Sequence, residues 1–176
     1  MTEGSEATSR LMGALRVTRW GLAAYAIALG VLVLDQLSKY WILHVLDLSH
    51  REPIRVLPFF RLNFVDNPGV SFGLLRADSD GGRWLLVVFA LAVVAALVVW
   101  ARRAGSLLTA VALGLVMGGA VGNNLIDRIR FGAVTDFLDF HPIFPWVFNV
   151  ADSAISVGVA LLLIEAFARP KEPSVT

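Results

Sequence analysis

Aspartate and asparagine side chains concentrate in one stretch of this chain, residues 122–152, between two long apolar runs. Its candidate polar side chains are Asn123, Asn124, Asp127, Arg128, Asp136, Asp139, Asn149 and Asp152. Ionisable groups beside membrane-length apolar segments are energetically costly, and such groups are therefore candidates for function. The carboxylates among them are the groups most suited to acid–base chemistry.

Asp136 lies in a predicted loop after the third apolar run, and Asp152 lies in the first turn of the fourth. A loop of this length can fold back and bring the two carboxylates together, where they would share a proton because both cannot ionise. Such a pair can activate a water while the protonated partner polarises a carbonyl, which is peptide hydrolysis without a metal. Alternatively, each aspartate caps a helix or pairs with Arg128 or Arg130, and spacing alone does not decide. Asp139 is expected to be a solvated loop residue.

The composition indicates a membrane protein, because 57% of the 176 residues are hydrophobic and only 16% are charged. A net charge of +1 gives no indication of a nucleic-acid partner. The chain has no cysteine, which excludes disulfides, thiol nucleophiles and cysteine metal sites. The three histidines are scattered and form no H-E-x-x-H motif, so no metal or other cofactor is expected.

Apolar runs of about 18 residues or more predict transmembrane helices. Four such spans are predicted, at about 20–40, 84–101, 107–126 and 148–167. The first run has no small-residue cleavage site, so we expect it to be retained rather than removed as a signal peptide. One domain is predicted over residues 16–169, with a disordered cytoplasmic tail at 1–15 and a short one at 170–176.

Two patterns within the spans concern helix faces. Asp35 and Lys39 are spaced to share a face near the end of the first span. An ion pair at a helix end explains this spacing, and a supporting functional role for Asp35 is the alternative. Gly114, Gly118 and Gly122 recur at every fourth position of the third span, which predicts close approach of another helix.

Polar residues also share faces where the third span ends and the fourth begins. Asn124, Asp127 and Arg128 have the spacing of one helix face. Asn149 and Asp152 are likewise predicted to lie on one face of the fourth span.

Residues 42–83 differ from the spans in character. Apolar and polar residues alternate over 54–64, which predicts short strands whose length Pro53 and Pro58 limit. We predict a small extramembrane sheet and an amphipathic segment that rests on the membrane surface. Residues 78–82 are predicted to form a loop.

Four spans place both termini on one side of the membrane. Lys and Arg are denser near the termini and the 102–106 turn than on the opposite side, which favours cytoplasmic termini. This orientation places residues 42–83 and 127–152 at the outer face.

Five segments in order along nearly the whole chain resemble the lipoprotein signal peptidase (signal peptidase II) family of bacterial aspartyl proteases. The segments are 35–39 (DQLSK), 67–73 (NPGVSFG), 122–128 (GNNLIDR), 134–137 (VTDF) and 148–152 (FNVAD). Each is a weak signal alone, but five in this order with matching hydropathy are highly specific.

The resemblance implies a multi-pass protease of the bacterial inner membrane that removes signal peptides from prolipoproteins, with Asp136 and Asp152 as its catalytic dyad. The implied fold is an all-α four-transmembrane-helix bundle in which residues 42–83 form a small periplasmic β-cradle and an interfacial half-helix over the substrate. Supporting or substrate-binding roles are implied for Asp35, Asn67, Asn124, Asp127, Arg128 and Asn149. The implied partners are diacylglyceryl-modified prolipoprotein signal peptides and membrane lipids, and the enzyme is expected to be monomeric.

Two other functions compete with this one. Residues 69–73 match G-x-S-x-G, which would make the chain a membrane serine hydrolase acting through Ser71. That motif needs a histidine partner, and none of His44, His50 and His141 has a placed acid. A small ion- or proton-coupled transporter should carry its charges near mid-span, whereas here they collect at span ends.

Overall fold

The computed structural model describes residues 16–69 and 80–168 of the chain. Its helices are α1 (Arg19–Tyr40), α2 (Asp80–Ala101), α3 (Leu107–Ala120), α4 (Arg128–Phe131) and α5 (Val150–Ala168). A π-helical turn (Trp41–Val45) extends α1, and a π-helical segment (Val121–Asp127) joins α3 to α4. A 3₁₀ turn (Leu48–His50) follows the first of these.

Within residues 16–69 and 80–168, four helical stretches are long and apolar enough to cross a membrane, which confirms the predicted four-helix membrane fold. They are Arg19–Val45, Asp80–Ala101, Leu107–Phe131 and Val150–Ala168. The third stretch is the most buried of the four, so α3 is the central helix of the bundle.

Glycines set the distance between α3 and its two neighbours. A Cβ added at Gly118 would lie 2.5 Å from the carbonyl oxygen of Ala28 on α1. On another face of α3, a Cβ at Gly119 would lie 2.6 Å from the carbonyl oxygen of Ala151 on α5. The close approach predicted from the glycine spacing is therefore confirmed, since any side chain at these positions would force the helices apart.

Helix α2 is mostly exposed and apolar, as expected for a helix that faces lipid. It begins at Asp80, four residues before the predicted start at Trp84, so the loop predicted over 78–82 is wrong for residues 80–82. Asp80 in the first turn favours this early start, because a carboxylate stabilises the positive end of the helix dipole.

The extramembrane part contains an antiparallel sheet in the order β1-β2-β3-β4. The strands are β1 (Ile54–Leu57), β2 (Phe60–Asn67), β3 (Val134–Asp139) and β4 (Val147–Phe148). The sequence predicted strands only in the first of the two segments that form this sheet. The predicted loop position of Asp136 is wrong, because β3 pairs with β2 and places Asp136 opposite Val65.

The prediction that Asp139 is a solvated loop residue is also wrong. Asp139 is 2% exposed and ends β3 opposite Arg61, whose Nε donates to its Oδ2 at 2.6 Å. Burial raises the pKa of Asp139, but hydrogen bonds from the His141 backbone, Arg61 and Asn63 outweigh burial and lower it below its usual value.

Several predictions fall outside the described residues. The predicted interfacial half-helix falls largely on 70–79, which also contain Ser71. The two predicted tails, 1–15 and 170–176, are outside as well.

We expect Gly118→Ala to lower the free energy of unfolding by about 1–3 kcal/mol, because the new methyl group overlaps the Ala28 carbonyl and forces α1 away. Thermal unfolding of the purified protein in detergent measures this change. Gly30→Ala on α1 is the matched control, since a Cβ there meets nothing within 4 Å. Equal stability of the two variants would contradict the close α1–α3 packing.

Candidate active site

Asp152 is fixed by a reciprocal cap at the start of α5. The Asn149 side-chain Oδ1 accepts the backbone N–H of Asp152 at 2.9 Å, and the Asp152 Oδ2 accepts the backbone N–H of Asn149 at 3.2 Å. Each residue satisfies an N–H group that the helix terminus would leave unpaired. The shared face predicted for these residues thus takes the form of a capping box.

Asp136 is held from two sides by amide groups. The Asn67 Nδ2 at the end of β2 donates to Asp136 Oδ2 at 3.0 Å, and the Asn149 Nδ2 donates to Asp136 Oδ1 at 2.6 Å. Asn149 is fully buried and contacts both aspartates at once. Through it, the strand that carries Asp136 is tied to the helix that carries Asp152.

Asp136 and Asp152 open into one cavity of about 540 Å³. Its other lining residues include Asn67, Phe144, Trp146, Phe148, Ile155 and Val157. Both carboxyl groups thus lie on the wall of the same cavity. Among the described residues, no ion pair joins either aspartate to Arg128 or Arg130. The alternative role as a helix cap is found for Asp152.

Burial raises the pKa of the Asp136 carboxyl to about 7, and the charge of Asp152 raises it further. The amide donors Asn67 and Asn149 oppose this shift, because they stabilise the charged form. A carboxyl with this pKa beside a second carboxyl suits a pair that shares one proton near neutral pH.

The π-helical segment directs its polar side chains to different partners. Asn124 Oδ1 accepts the Arg128 Nε at 3.4 Å, whereas Asp127 turns to the buried Lys39 of α1 at 2.7 Å. Of the three residues predicted to share a face, Asn124 and Arg128 contact each other, and Asp127 contacts Lys39. A π-helix widens the turn beyond that of an α-helix, and such segments are frequent at functional sites.

Arg128 supports Asp136 through the backbone that follows β2. Its guanidinium donates to the carbonyl oxygens of Pro68 at 3.1 Å and Gly69 at 3.2 Å. The Gly69 N–H in turn donates to Asn67 Oδ1 at 3.2 Å, which orients the amide that donates to Asp136. Arg128 thus contacts the segment that holds Asn67.

A second, buried charge cluster lies behind the two aspartates. Lys39 Nζ lies 2.8 Å from Asp35 Oδ2, which confirms the predicted ion pair, and it also contacts Asp127. Asp35 Oδ1 accepts the backbone N–H of Ala151 at 3.1 Å in the first turn of α5. Gly122 makes room for Asp35, since a Cβ there would lie 2.5 Å from Asp35 Oδ2.

Three residues in contact with this network were not among the predicted site residues. Lys39 Nζ donates to Asn123 Oδ1 at 2.6 Å, and Asn123 Nδ2 donates to Asp152 Oδ1 at 2.7 Å. Gln36 donates to both Asp35 and Asp127. All three lie within segments that carry the family resemblance, but the sequence did not show which of their neighbours they would meet.

We expect Lys39→Met to lower the free energy of unfolding by about 3–5 kcal/mol, because it leaves buried carboxylates without their cation. Arg61→Met is the matched control. Arg61 is 43% exposed and Asp139 keeps other donors, so its loss should cost at most about 1 kcal/mol. Thermal unfolding in detergent compares them, and equal losses would contradict the buried cluster.

The free energy of unfolding of Asp136→Asn should increase relative to that of the wild type as the pH rises from 4 to 8. The folded-state pKa of Asp136 is raised from 3.8 to about 7, so its stabilising contribution is present below pH 4 and is lost as the pH rises through 7. A shift of about 3 units corresponds to at most about 4 kcal/mol.

Asp139→Asn is the opposite control for that pH series. The pKa of Asp139 is lowered, so its contribution is present above its unfolded-state pKa and lost in acid. The variant should therefore be most destabilised at neutral pH. Parallel pH trends for the two variants would contradict the assigned environments.

Comparison with known proteins identifies the family to which this chain belongs. The family model for signal peptidase (SPase) II matches residues 27–168. The lipoprotein signal peptidase of Caulobacter vibrioides is 56% identical over 160 residues, covering 89% of this chain and 93% of that protein. The lipoprotein signal peptidase of Beijerinckia indica is 50% identical over 149 residues, covering 84% of this chain and 86% of that protein.

A solved bacterial membrane enzyme, determined by the in meso method at 2.3 Å resolution, has a similar fold, with a TM-score of 0.72. It is 28% identical, and the match covers 87% of this chain and 94% of that one. With four apolar helices, a small sheet and the family match along most of its length, this chain belongs to the signal peptidase II family of membrane peptidases.

Proposed function

We propose that this peptidase removes signal peptides from bacterial prolipoproteins by an aspartic mechanism in which Asp136 and Asp152 form the catalytic dyad. The observation that carries the proposal is that these two carboxyl groups lie on the wall of one cavity. Aspartic chemistry also agrees with the absence of cysteine from the sequence, since no thiol nucleophile is available.

In the proposed reaction the dyad carries one proton. The ionised carboxylate takes a proton from a water molecule, whose oxygen attacks the scissile carbonyl carbon. The protonated carboxyl donates a hydrogen bond to the carbonyl oxygen and stabilises the charge that develops there. The tetrahedral intermediate then collapses, the C–N bond breaks, and a dyad proton passes to the leaving amine.

The substrate class follows from the other walls of the cavity. Phe144, Trp146 and Phe148 border one side, and Ile155 and Val157 extend the wall along α5. A mostly apolar wall at the end of a membrane helix suits a signal peptide that stays in lipid and carries a diacylglyceryl group.

The other predicted residues have supporting roles in this proposal. Asn67 and Asn149 hold the carboxyl groups by direct hydrogen bonds. Arg128 and Asn124 brace the segment after β2, whereas Asp35 and Asp127 anchor the buried cation behind the dyad.

The proposed orientation places both termini in the cytoplasm and the dyad at the outer face of the inner membrane. The dyad lies where α5 begins, at the opposite end of this helix from the C-terminus. The greater density of Lys and Arg beside the termini supports this orientation. Water can then reach the dyad while the peptide remains in the bilayer.

The serine-hydrolase and transporter alternatives have less support. In the described part of the chain, none of His44, His50 and His141 lines the cavity of the dyad. Asp152 lies at the start of α5 and Asp136 lies in strand β3, so neither is at mid-span, unlike the sites expected of a transporter.

Asp136→Asn and Asp152→Asn should each lower the rate of prolipoprotein processing by roughly 100- to 10,000-fold, because either change removes the shared-proton pair. The measurement is cleavage of a synthetic diacylglyceryl-modified precursor by purified enzyme in lipid–detergent micelles. Ser71→Ala is the control and should process the precursor.

Wild-type rates in either Asn variant would refute the dyad. Loss of activity in Ser71→Ala alone would favour the serine hydrolase.

A further inference from the structure

Asn123 lies between a buried cation and one aspartate of the proposed dyad. The residue is 4% exposed, within the π-helical segment. Its Oδ1 accepts a hydrogen bond from Lys39 Nζ at 2.6 Å, and its Nδ2 donates to Asp152 Oδ1 at 2.7 Å. A single amide therefore connects the ammonium to the carboxylate.

The orientation of this amide is fixed by its two neighbours. A lysine ammonium only donates hydrogen bonds, so the amide oxygen must face Lys39 and the NH₂ group must face Asp152. The reversed amide would place two donors against each other and two oxygens against each other. Lys39 therefore determines which end of Asn123 meets the aspartate.

Three contacts fix the position of the Lys39 ammonium. Its ammonium has three N–H groups, and its three acceptors are Asp35 at 2.8 Å, Asp127 at 2.7 Å and Asn123 at 2.6 Å. With a side chain 3% exposed, Lys39 has little access to water as an alternative partner.

The amides that donate to the two aspartates differ in their own hydrogen-bond partners. Asp152 accepts from Asn123 on one oxygen and from the Asn149 backbone on the other. The oxygens of the two amides that donate to Asp136 accept from backbone N–H groups. Asn67 accepts from Gly69, and Asn149 accepts from Asp152. Among the described contacts of these side-chain donors, Asn123 is the one whose oxygen accepts a hydrogen bond from a cation.

The charged groups around Asp152 come from several elements. Asp35 and Lys39 act on it from α1, Asp136 from β3 and Arg128 from α4. Among them, Lys39 is connected to Asp152 through one hydrogen-bonded amide.

We propose that Asn123, oriented by Lys39, is a positioning residue that keeps Asp152 ionised and leaves the proton of the dyad on Asp136. Two donated hydrogen bonds stabilise the charged form of a carboxylate, and polarisation of the amide by the ammonium strengthens one of them. Asp152 then acts as the base towards water, and Asp136 as the acid towards the carbonyl. The inference rests on the proposed aspartic mechanism and assigns the roles within it.

The test is the pH dependence of cleavage by the full-length enzyme in lipid–detergent micelles, with a diacylglyceryl-modified precursor peptide as the probe. Asn123→Leu preserves approximate size but removes both hydrogen bonds. We expect kcat to fall roughly 10- to 100-fold with KM changed by less than about twofold. We also expect the acidic limb of kcat/KM to move up by roughly one pH unit, because the base loses a donor to its charged form.

Asn123→Asp tests the contact with Asp152 separately from the contact with Lys39. Its carboxylate still accepts from Lys39, so the buried cluster keeps its anchor and the variant should fold. It presents a negative charge to Asp152 instead of a donor, and the acidic limb should move up further than in Asn123→Leu. If Asn123→Leu does not fold, the pH profile of Asn123→Asp decides.

The matched control is Asn63→Leu, an equivalent loss of a partly buried amide that donates to Asp139 and not to the dyad. It should keep the wild-type kcat and the wild-type acidic limb. A uniform loss of rate at every pH in the Asn123 variants, with the limb unmoved, would reduce Asn123 to a structural residue and overturn the proposal.

The outcome is separable from that of the dyad itself. If Asp136→Asn and Asp152→Asn are inactive while Asn123→Leu retains the wild-type profile, the aspartic mechanism stands and only this inference fails.

Discussion

The contacts of one buried side chain, Asn149, join the membrane helices to the extramembrane sheet. Its oxygen caps α5 by accepting the Asp152 N–H, and its nitrogen donates to the Asp136 carboxyl on β3. A helix terminus must satisfy its free N–H groups, and a buried amide must satisfy its own donors and acceptor. Both requirements are met only when strand and helix meet at one distance, so the capping interaction also fixes the spacing of the two aspartates.

The buried cluster behind this junction illustrates the cost of charge near a membrane. Asp35, Lys39 and Asp127 are almost fully buried, and each would be strongly destabilising if left alone. They are tolerated because Lys39 contacts both carboxylates and because Gln36 and the backbone of α5 supply further donors. A glycine in the π-helical segment makes this possible, since Gly122 leaves the space that the Asp35 carboxyl fills. The polar cluster can therefore assemble only if α1 packs closely against α3 and the segment that follows it.

Much of the architecture could be predicted from the sequence. Hydropathy located the four spans to within a few residues, apart from the longer ends of the first and third helices. Glycine spacing correctly indicated that another helix approaches the third span closely. The ordered motifs indicated the family, because each motif is short but their order along the chain is specific. The strands of residues 134–148 were missed because Asp136, Asp139 and the prolines of that segment resemble a polar loop until β2 is present to pair with them.

The sequence by itself determined which segments enter the membrane and which residues are polar enough to do chemistry, since hydropathy and side-chain type are local properties. Only the tertiary structure decided how those residues are connected. Asp139 became a buried partner of Arg61, and Asn123 came to lie between Lys39 and Asp152. The contacts that orient the two aspartates join residues far apart in the chain, such as Asn67 with Asp136 and Asp35 with Ala151. The pKa of a carboxyl depends on this burial and these donors, and no local pattern encodes them.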